Sequence, residues 1–388
     1  MKLLSAIFVA STIFTSAYAQ SWTLSGAPMN RWFSVAASAD GAKLVVASSG
    51  KIYTSTNSGD TWRSNSLPAL QWQCVASSAD GSRLVAGAWK GGPIYLSTNS
   101  GATWTESSAP NNYWCSVASS ADGVKLIAAA TDAGDQHIYI STNSGTTWSQ
   151  ALTNRLYWYA VGSSADGSKL VATSPGLLYS STNSGVTWTA SITSSNGYSI
   201  PGNSIALSAD GSKIIAVAGG GGAVYLSRDS GNTWAPSGLS FANWTSVASS
   251  ADGVRLAAAS GEGWIYTSTN SGVSWNMNTA PALPWRAVAS SADGHRLVSV
   301  SADNASGQVW LGRSDSLLPV AFPLVANGRI AILWVVPSTN CVLQQMVVSG
   351  NPTWVTVTNL PTFIPSTLQW QVTVPMSNSC GFFRLATP

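Results

Sequence analysis

The chain has 388 residues, carries only 9% charged side chains and has a formal net charge of +3 at pH 7. That length accommodates one large repeat domain and a smaller one. So sparse a charge supplies no basic stripe for a nucleic-acid backbone, and nucleic acid is not an expected partner.

The first predicted element is a leader. Lys2 precedes an apolar run from Leu3 to Ala10 that continues through Ile13 and Phe14 and ends on the small-x-small triplet Ala17-Tyr18-Ala19. The pattern predicts a secretory signal peptide over 1–19, cleaved before Gln20. It is too short and too interrupted by Ser and Thr for a membrane helix, and no other segment has the roughly 18 uninterrupted apolar residues of a span. The mature chain is therefore expected to be secreted, periplasmic or at the cell surface, as a monomer.

From Arg31 a unit of four short strands begins. It runs through 32–37, a turn Ser38-Ala39-Asp40-Gly41, strands over 43–48 and 52–55, a polar stretch, and a last strand starting near Trp62. Asp-Gly between two apolar alternating runs is a strong hairpin signal. The turn returns at 78–81, 120–123, 164–167, 208–211, 250–253 and 291–294, seven copies 40 to 44 residues apart. Four strands at that period are the signature of a β-propeller, each sheet one blade around a channel. The inner strands alternate small residues with Val or Ile, as in Ser34-Val35-Ala36 and Ser116-Val117-Ala118, which fits sheets that converge on an axis.

The polar stretch Ser55-Thr56-Asn57-Ser58-Gly59-Asp60-Thr61-Trp62 also returns, at 97–104, 141–148, 181–188, 227–234 and 268–275. A short polar side chain (Asn57, Asn99, Asn143, Asn183, Asp229, Asn270) accepts from turn amides, and the Gly takes a left-handed conformation. This Ser-x-(Asp/Asn)-x-Gly-x-(Thr/Ser)-Trp pattern resembles the Asp-box, or BNR repeat, of sialidase-like, sortilin-like and photosystem-assembly-factor-like propellers. The resemblance implies that the boxes are structural and that ligands bind the opposite face. The chain lacks the Arg-Ile-Pro motif that introduces the sialidase arginine triad and nucleophile pair, since Arg31 is followed by Trp32 and Phe33. Sialidase activity is therefore not expected.

The seventh repeat breaks the rule. Residues 310–316 lack the box Gly and Trp, whereas Ser21-Trp22-Thr23 matches Thr61-Trp62. The N-terminal strand is predicted to supply the missing outer strand and so remove an open sheet edge. The fold expected over 20–315 is an all-β seven-bladed propeller closed by that strand. Residues 316–388 form a linker and a small C-terminal β-sandwich, with alternating strands near 329–336, 341–348, 354–358, 368–374 and 382–385. This part resembles short β-sandwich modules at the C-termini of secreted bacterial proteins, through Val342-Leu343-Gln344-Gln345, Trp354 to Asn359, and Phe382-Phe383-Arg384-Leu385.

Of four cysteines, Cys341 and Cys380 are the expected disulfide. Cys74 and Cys115, in equivalent strands of neighbouring repeats, are open between a bridge and two buried thiols.

Chemistry on the loop face is thin. Asp132, Asp135 and His137 share one loop, Glu262 and Asp303 lie in others, Arg31, Arg155 and Arg286 stand near starts of inner strands, and Lys51 and Lys90 lie on loops. Two carboxylates and an imidazole are too few for a metal prediction, and no cofactor is expected. The most distinctive feature is aromatic: Trp32, Trp72, Trp114, Trp158, Trp244 and Trp285 each open an inner strand, with Gly202 in the fifth blade. Such a ring either stacks on sugar rings at the channel mouth or wedges between blades. The function expected is non-catalytic recognition or scaffolding, with an extracellular glycan or a protein as partner. The alternative is a carbohydrate-active hydrolase or lyase built on Asp132, Asp135, His137 and Glu262.

Overall fold

In the computed structural model, the described residues are 20–131, 136–152, 156–192, 202–218, 222–303 and 306–314, then strand segments between 322 and 386. The chain divides into two compact units with a boundary at Ser314 and Asp315.

The larger unit is a seven-bladed propeller. Its described residues form seven four-stranded antiparallel sheets, the first from Trp32–Ala37, Leu44–Ser48, Ile52–Ser55 and Arg63–Ser64. The second strand of blade one is buried at every position, and so are its counterparts Leu84–Ala88 and Leu126–Ala130. This is why these strands read as unbroken apolar runs: sheets cover both of their faces. The apolar core is accordingly divided into one cluster between each pair of neighbouring blades. Inner-strand Val75 and Val117, for example, pack back onto the preceding blade.

Closure occurs where the sequence predicts it. Gln20–Leu24 pairs antiparallel with Val309–Ser314, with Gln20 opposite Ser314, Trp22 opposite Gly312 and Leu24 opposite Trp310. A side chain at Gly312 would run into the Trp22 ring, whose nearest atom lies 2.9 Å from the added Cβ. The indole Nε1 of Trp22 donates to Asn278 Oδ1 at 2.7 Å, and Asn278 Nδ2 donates to Gln20 Oε1 at 2.7 Å, so the closing strand is also tied to blade six.

A second closure was not legible in the sequence. The amide of Ala39 donates to the carbonyl of Ala79, Ala79 to Ala121, and so on through Ala165, Ala209, Ala251 and Ala292, whose amide returns to Ala39. All seven bonds are 2.7 Å long. The recurring Ala of the Ser-Ala-Asp-Gly turn is thus the donor and acceptor of a ring around the axis, and it satisfies backbone groups that the blades themselves leave unpaired.

The C-terminal unit holds two antiparallel sheets. Phe322–Ala326, Arg329–Val335, Gln369–Pro375 and Thr362–Ile364 make one, and Thr353–Thr356, Val342–Val347 and Phe383–Ala386 the other. The strand pairing does not itself show the sandwich expected from the sequence. Cys341 and Cys380 lie outside the described residues.

Candidate functional site

The strand order sorts the loops onto two faces. First-to-second-strand turns and boxes share one, and are joined there by backbone bonds such as Ser58 N to Ala42 O at 2.7 Å. Blade-to-blade loops and second-to-third-strand loops share the other, where Ser49 N donates to Arg31 O at 3.1 Å.

The box face is occupied with itself. In the first box Gly59 N donates to Ser55 Oγ, Thr61 N to Asn57 Oδ1, Asn57 Nδ2 to Thr61 Oγ1 and Trp62 Nε1 to Gly59 O, all within 3.0 Å. The fifth box holds Asp229 instead, and there Thr233 Oγ1 becomes the donor. Gly59 has φ +86°, as predicted, and Ser58 before it is left-handed too, at φ +58°. The turn aspartates are turn formers: Asp80 accepts from Ser78 Oγ and from the Ser82 amide, and Asp166 and Asp210 do the same in their turns. Burial is the largest single influence on these three carboxyls and pushes them up, but the hydrogen bonds outweigh it. A lysine of the preceding blade (Lys43, Lys125 or Lys169) adds to the downward pull, and each carboxyl ends below the usual range. Each of those lysines also lies over the next blade's turn glycine, and Lys125 and Lys169 reach on to the box serines Ser184 and Ser230. They act as latches between blades.

The six tryptophans of the expected binding ring are corrected by their burial. Trp32, Trp72, Trp114, Trp158, Trp244 and Trp285 are no more than 1% exposed. Each sits in an interblade cluster, and five of them meet a Tyr edge-on, with Trp72 and Tyr95 centroids 5.6 Å apart. The rings are wedges, and no sugar can stack on them. Gly202 replaces the wedge in blade five because Thr173 fills that space, donating from Oγ1 to Gly202 O at 2.7 Å.

Of the alternative catalytic set, His137 and Glu262 are among the described residues. Asp132 and Asp135 lie outside the described residues, as does Arg155. His137 and Glu262 sit in loops of different blades, three and six. Glu262 accepts from the Asn243 amide at 3.2 Å, and the His137 ring meets Tyr139 edge-on at 6.4 Å. No group of three or more metal-ligating side chains occurs among the described residues.

Cys74 and Cys115 are free thiols. Cys74 is held against Gly87 O of its own blade and Trp114 O of the next, and Cys115 likewise against Ala129 O and Trp158 O. Burial pushes the Cys74 thiol well up, with Cys115 adding to it, and burial raises Cys115 to about 12. Both stay protonated and unreactive at neutral pH.

What the loop face does expose lies beside the buried wedges. Tyr157, Tyr159, Phe241 and Trp264 are exposed aromatics, Met29 is exposed as well, and Trp89 meets Tyr113 edge-on at 5.4 Å. Arg31 and Arg286, named from the sequence as separate residues, come from neighbouring blades one and seven, and the charge of Arg31 bears on Arg286. Trp89 and Trp264 stand out in the sequence as additions to the ring on second-to-third-strand loops, whereas Tyr157, Tyr159 and Phe241, between blades, carry no repeat signal that would single them out.

The chain matches no protein-family model, and no curated protein sequence matches it. Solved structures do resemble it. YCF48 bound to a D1 peptide is 14% identical with a TM-score of 0.58, covering 78% of this chain and 98% of that one. YCF48 from Cyanidioschyzon merolae is 15% identical with a TM-score of 0.58, covering 76% and 98%. The WD40 repeats of RRP9 are 13% identical with a TM-score of 0.63, covering 77% and 99%. At such identities the likeness establishes the propeller fold alone.

Proposed function

We propose that this chain is a non-catalytic recognition scaffold whose loop face holds a polypeptide segment of a partner protein. One observation carries the reading: exposed aromatic side chains gather on the loop face, whereas the polar groups of the opposite face are spent on boxes, turns and latches. Exposed Tyr and Trp are the side chains that anchor protein interfaces, combining apolar area with a polar edge. The similar YCF48 structure, solved with a D1 peptide, supports a peptide-sized occupant. A glycan reading is less favoured, because the tryptophans that motivated it are buried.

Export belongs to the same proposal. The leader pattern ends at Ala19, directly ahead of the closing strand Gln20–Leu24, so the mature chain would begin with the residue that zips the ring. As a single closed ring it would act as an extracytoplasmic monomer.

The test is selection of unstructured peptides from a display library on the immobilised protein, beside a polysaccharide panel. Enriched peptides are expected to lose affinity for Tyr159→Ser and Trp264→Ser variants that melt as the parent does. Binding of polysaccharides with no peptide enriched, or peptides indifferent to both variants, would overturn the reading. Reducing-end release from the panel that disappears in Glu262→Gln would instead establish the hydrolase alternative.

A further inference from the structure

The inner strands share a distortion that decides where certain side chains lean. In blades one, two, three, five, six and seven the register slips by one residue just after the strand begins, leaving Phe33, Gln73, Cys115, Asn203, Thr245 and Arg286 unpaired. A bulge of this kind re-aims the extra side chain. Two of the six show the direction. Thr245 Oγ1 donates to Ala259 O of its own blade and to Trp285 O of the next, and Cys115 Sγ makes the same pair of contacts to Ala129 O and Trp158 O.

The same lean carries Arg286 of blade seven toward the start of blade one, which is where Arg31 lies. Arg31 is held there by its backbone: its amide donates to Asn30 Oδ1 at 2.8 Å, its carbonyl accepts from Ser49 N at 3.1 Å, and Asn30 bridges to Gly307. Its guanidinium lies over the Phe33 ring, 5.3 Å from the centroid. Arg286 stays in contact with solvent but is crowded by surrounding protein. That crowding first, and the like charge of Arg31 second, bring its pKa below the ordinary arginine range. Among the described residues no carboxylate pairs with either: the ion pair present joins Arg313 to Asp60, at 4.0 Å, on the box side. None of the six bulge positions is acidic.

Two guanidinium groups carried on the packed starts of neighbouring inner strands, with no carboxylate partner among the described residues, repel each other, and a shared oxyanion relieves that repulsion through charge-assisted hydrogen bonds. We infer that Arg31 and Arg286 form an oxyanion site on the loop side of the seam between blades seven and one, and that it receives a carboxylate of the polypeptide partner. This rests on the reading of the loop face as a peptide-binding surface. The carboxylate has two sources, a chain end or an Asp or Glu side chain, which recognise the pair through the same chemistry.

The experiment uses the full propeller and the selected peptides, each made as free acid, as C-terminal amide, and with Asp and Glu replaced by Asn and Gln. Removing the responsible carboxylate is expected to weaken binding about ten- to hundredfold, the scale of a charged hydrogen bond. Arg31→Gln and Arg286→Gln should weaken the acidic form by a similar factor and leave the neutral form unchanged, while Arg63→Gln, exposed on an outer strand, should change neither. Loss on amidation identifies the chain end, and loss on Asp or Glu replacement identifies a side chain. If the peptides bind through Tyr159 and Trp264 but are indifferent to their own charge and to both arginines, the oxyanion site is wrong and the peptide face stands. If no peptide binds, or if a sulfated polysaccharide alone responds to Arg31→Gln and Arg286→Gln, both are wrong.

Discussion

A buried indole whose N–H has a partner differs energetically from one whose N–H has none. Trp32 Nε1 donates to Gly307 O at 2.9 Å and Trp158 Nε1 to Gln136 O at 3.1 Å, both acceptors lying just ahead of a third strand in the preceding blade. The indole nitrogens of Trp72, Trp114, Trp244 and Trp285 are buried without a protein partner. Trp32→Phe removes a hydrogen bond and strands a carbonyl, while Trp72→Phe removes an unpaired donor. We expect Trp32→Phe to be the more destabilising by about 1 kcal/mol, and Trp72→Ala to cost about 3 to 5 kcal/mol with peptide affinity unchanged. Denaturant melts of the three variants check this; equal losses for the two Phe variants would contradict it. The recurrence of these tryptophans was plain in the sequence, but their direction was not. A period of about 42 residues says that a position serves the repeat, whereas a bulge one residue further on determines which neighbour the ring enters. The left-handed Ser58 was missed for a related reason: the Gly after it drew the attention that both residues share.

Blade seven is the element assembled from both ends of the domain, and its seam carries a titratable group. His295 Nδ1 lies 2.8 Å from Ser314 Oγ, and Ser314 pairs with Gln20 of the closing strand. Burial lowers the His295 pKa, Arg255 lowers it further, and Asp293 and Asp252 offset part of this. The fold therefore prefers the neutral ring. A lowered pKa means that the unfolded chain binds the proton more readily, so this contribution is complete above the unfolded value of about 6.5 and is lost as pH falls through the folded one. We expect the exchange protection of Gln20–Leu24 to decline between about pH 7 and about pH 5, and His295→Asn to flatten that decline. A decline unaltered by His295→Asn would assign it to other groups. The pairing of this seam was legible because Ser21-Trp22 copies the Thr-Trp of the boxes. The role of His295 was not, since nothing local distinguishes it from a turn residue.

Across the whole molecule, closure is redundant: an outer zip at Gln20–Leu24, an axial ring through the turn alanines, and cationic latches between blades. The sequence showed the number of blades and the zip, because both follow from counting repeats. It did not show the alanine ring, since an Ala in a turn gives no sign that its amide faces another blade. Nor did it join Arg31 to Arg286, which are 255 positions apart (286 minus 31) and meet only because the ring closes. The redundancy leaves the box face rigid and chemically occupied, and leaves the loop face free to vary without loss of the ring. Hydrogen exchange with and without the tightest selected peptide decides whether the two faces divide the labour in this way. Binding should slow exchange at 29–33, 157–159 and 284–286 and leave the six boxes unchanged. Protection that appeared at the boxes, with those three segments unaffected, would place the working side on the wrong face.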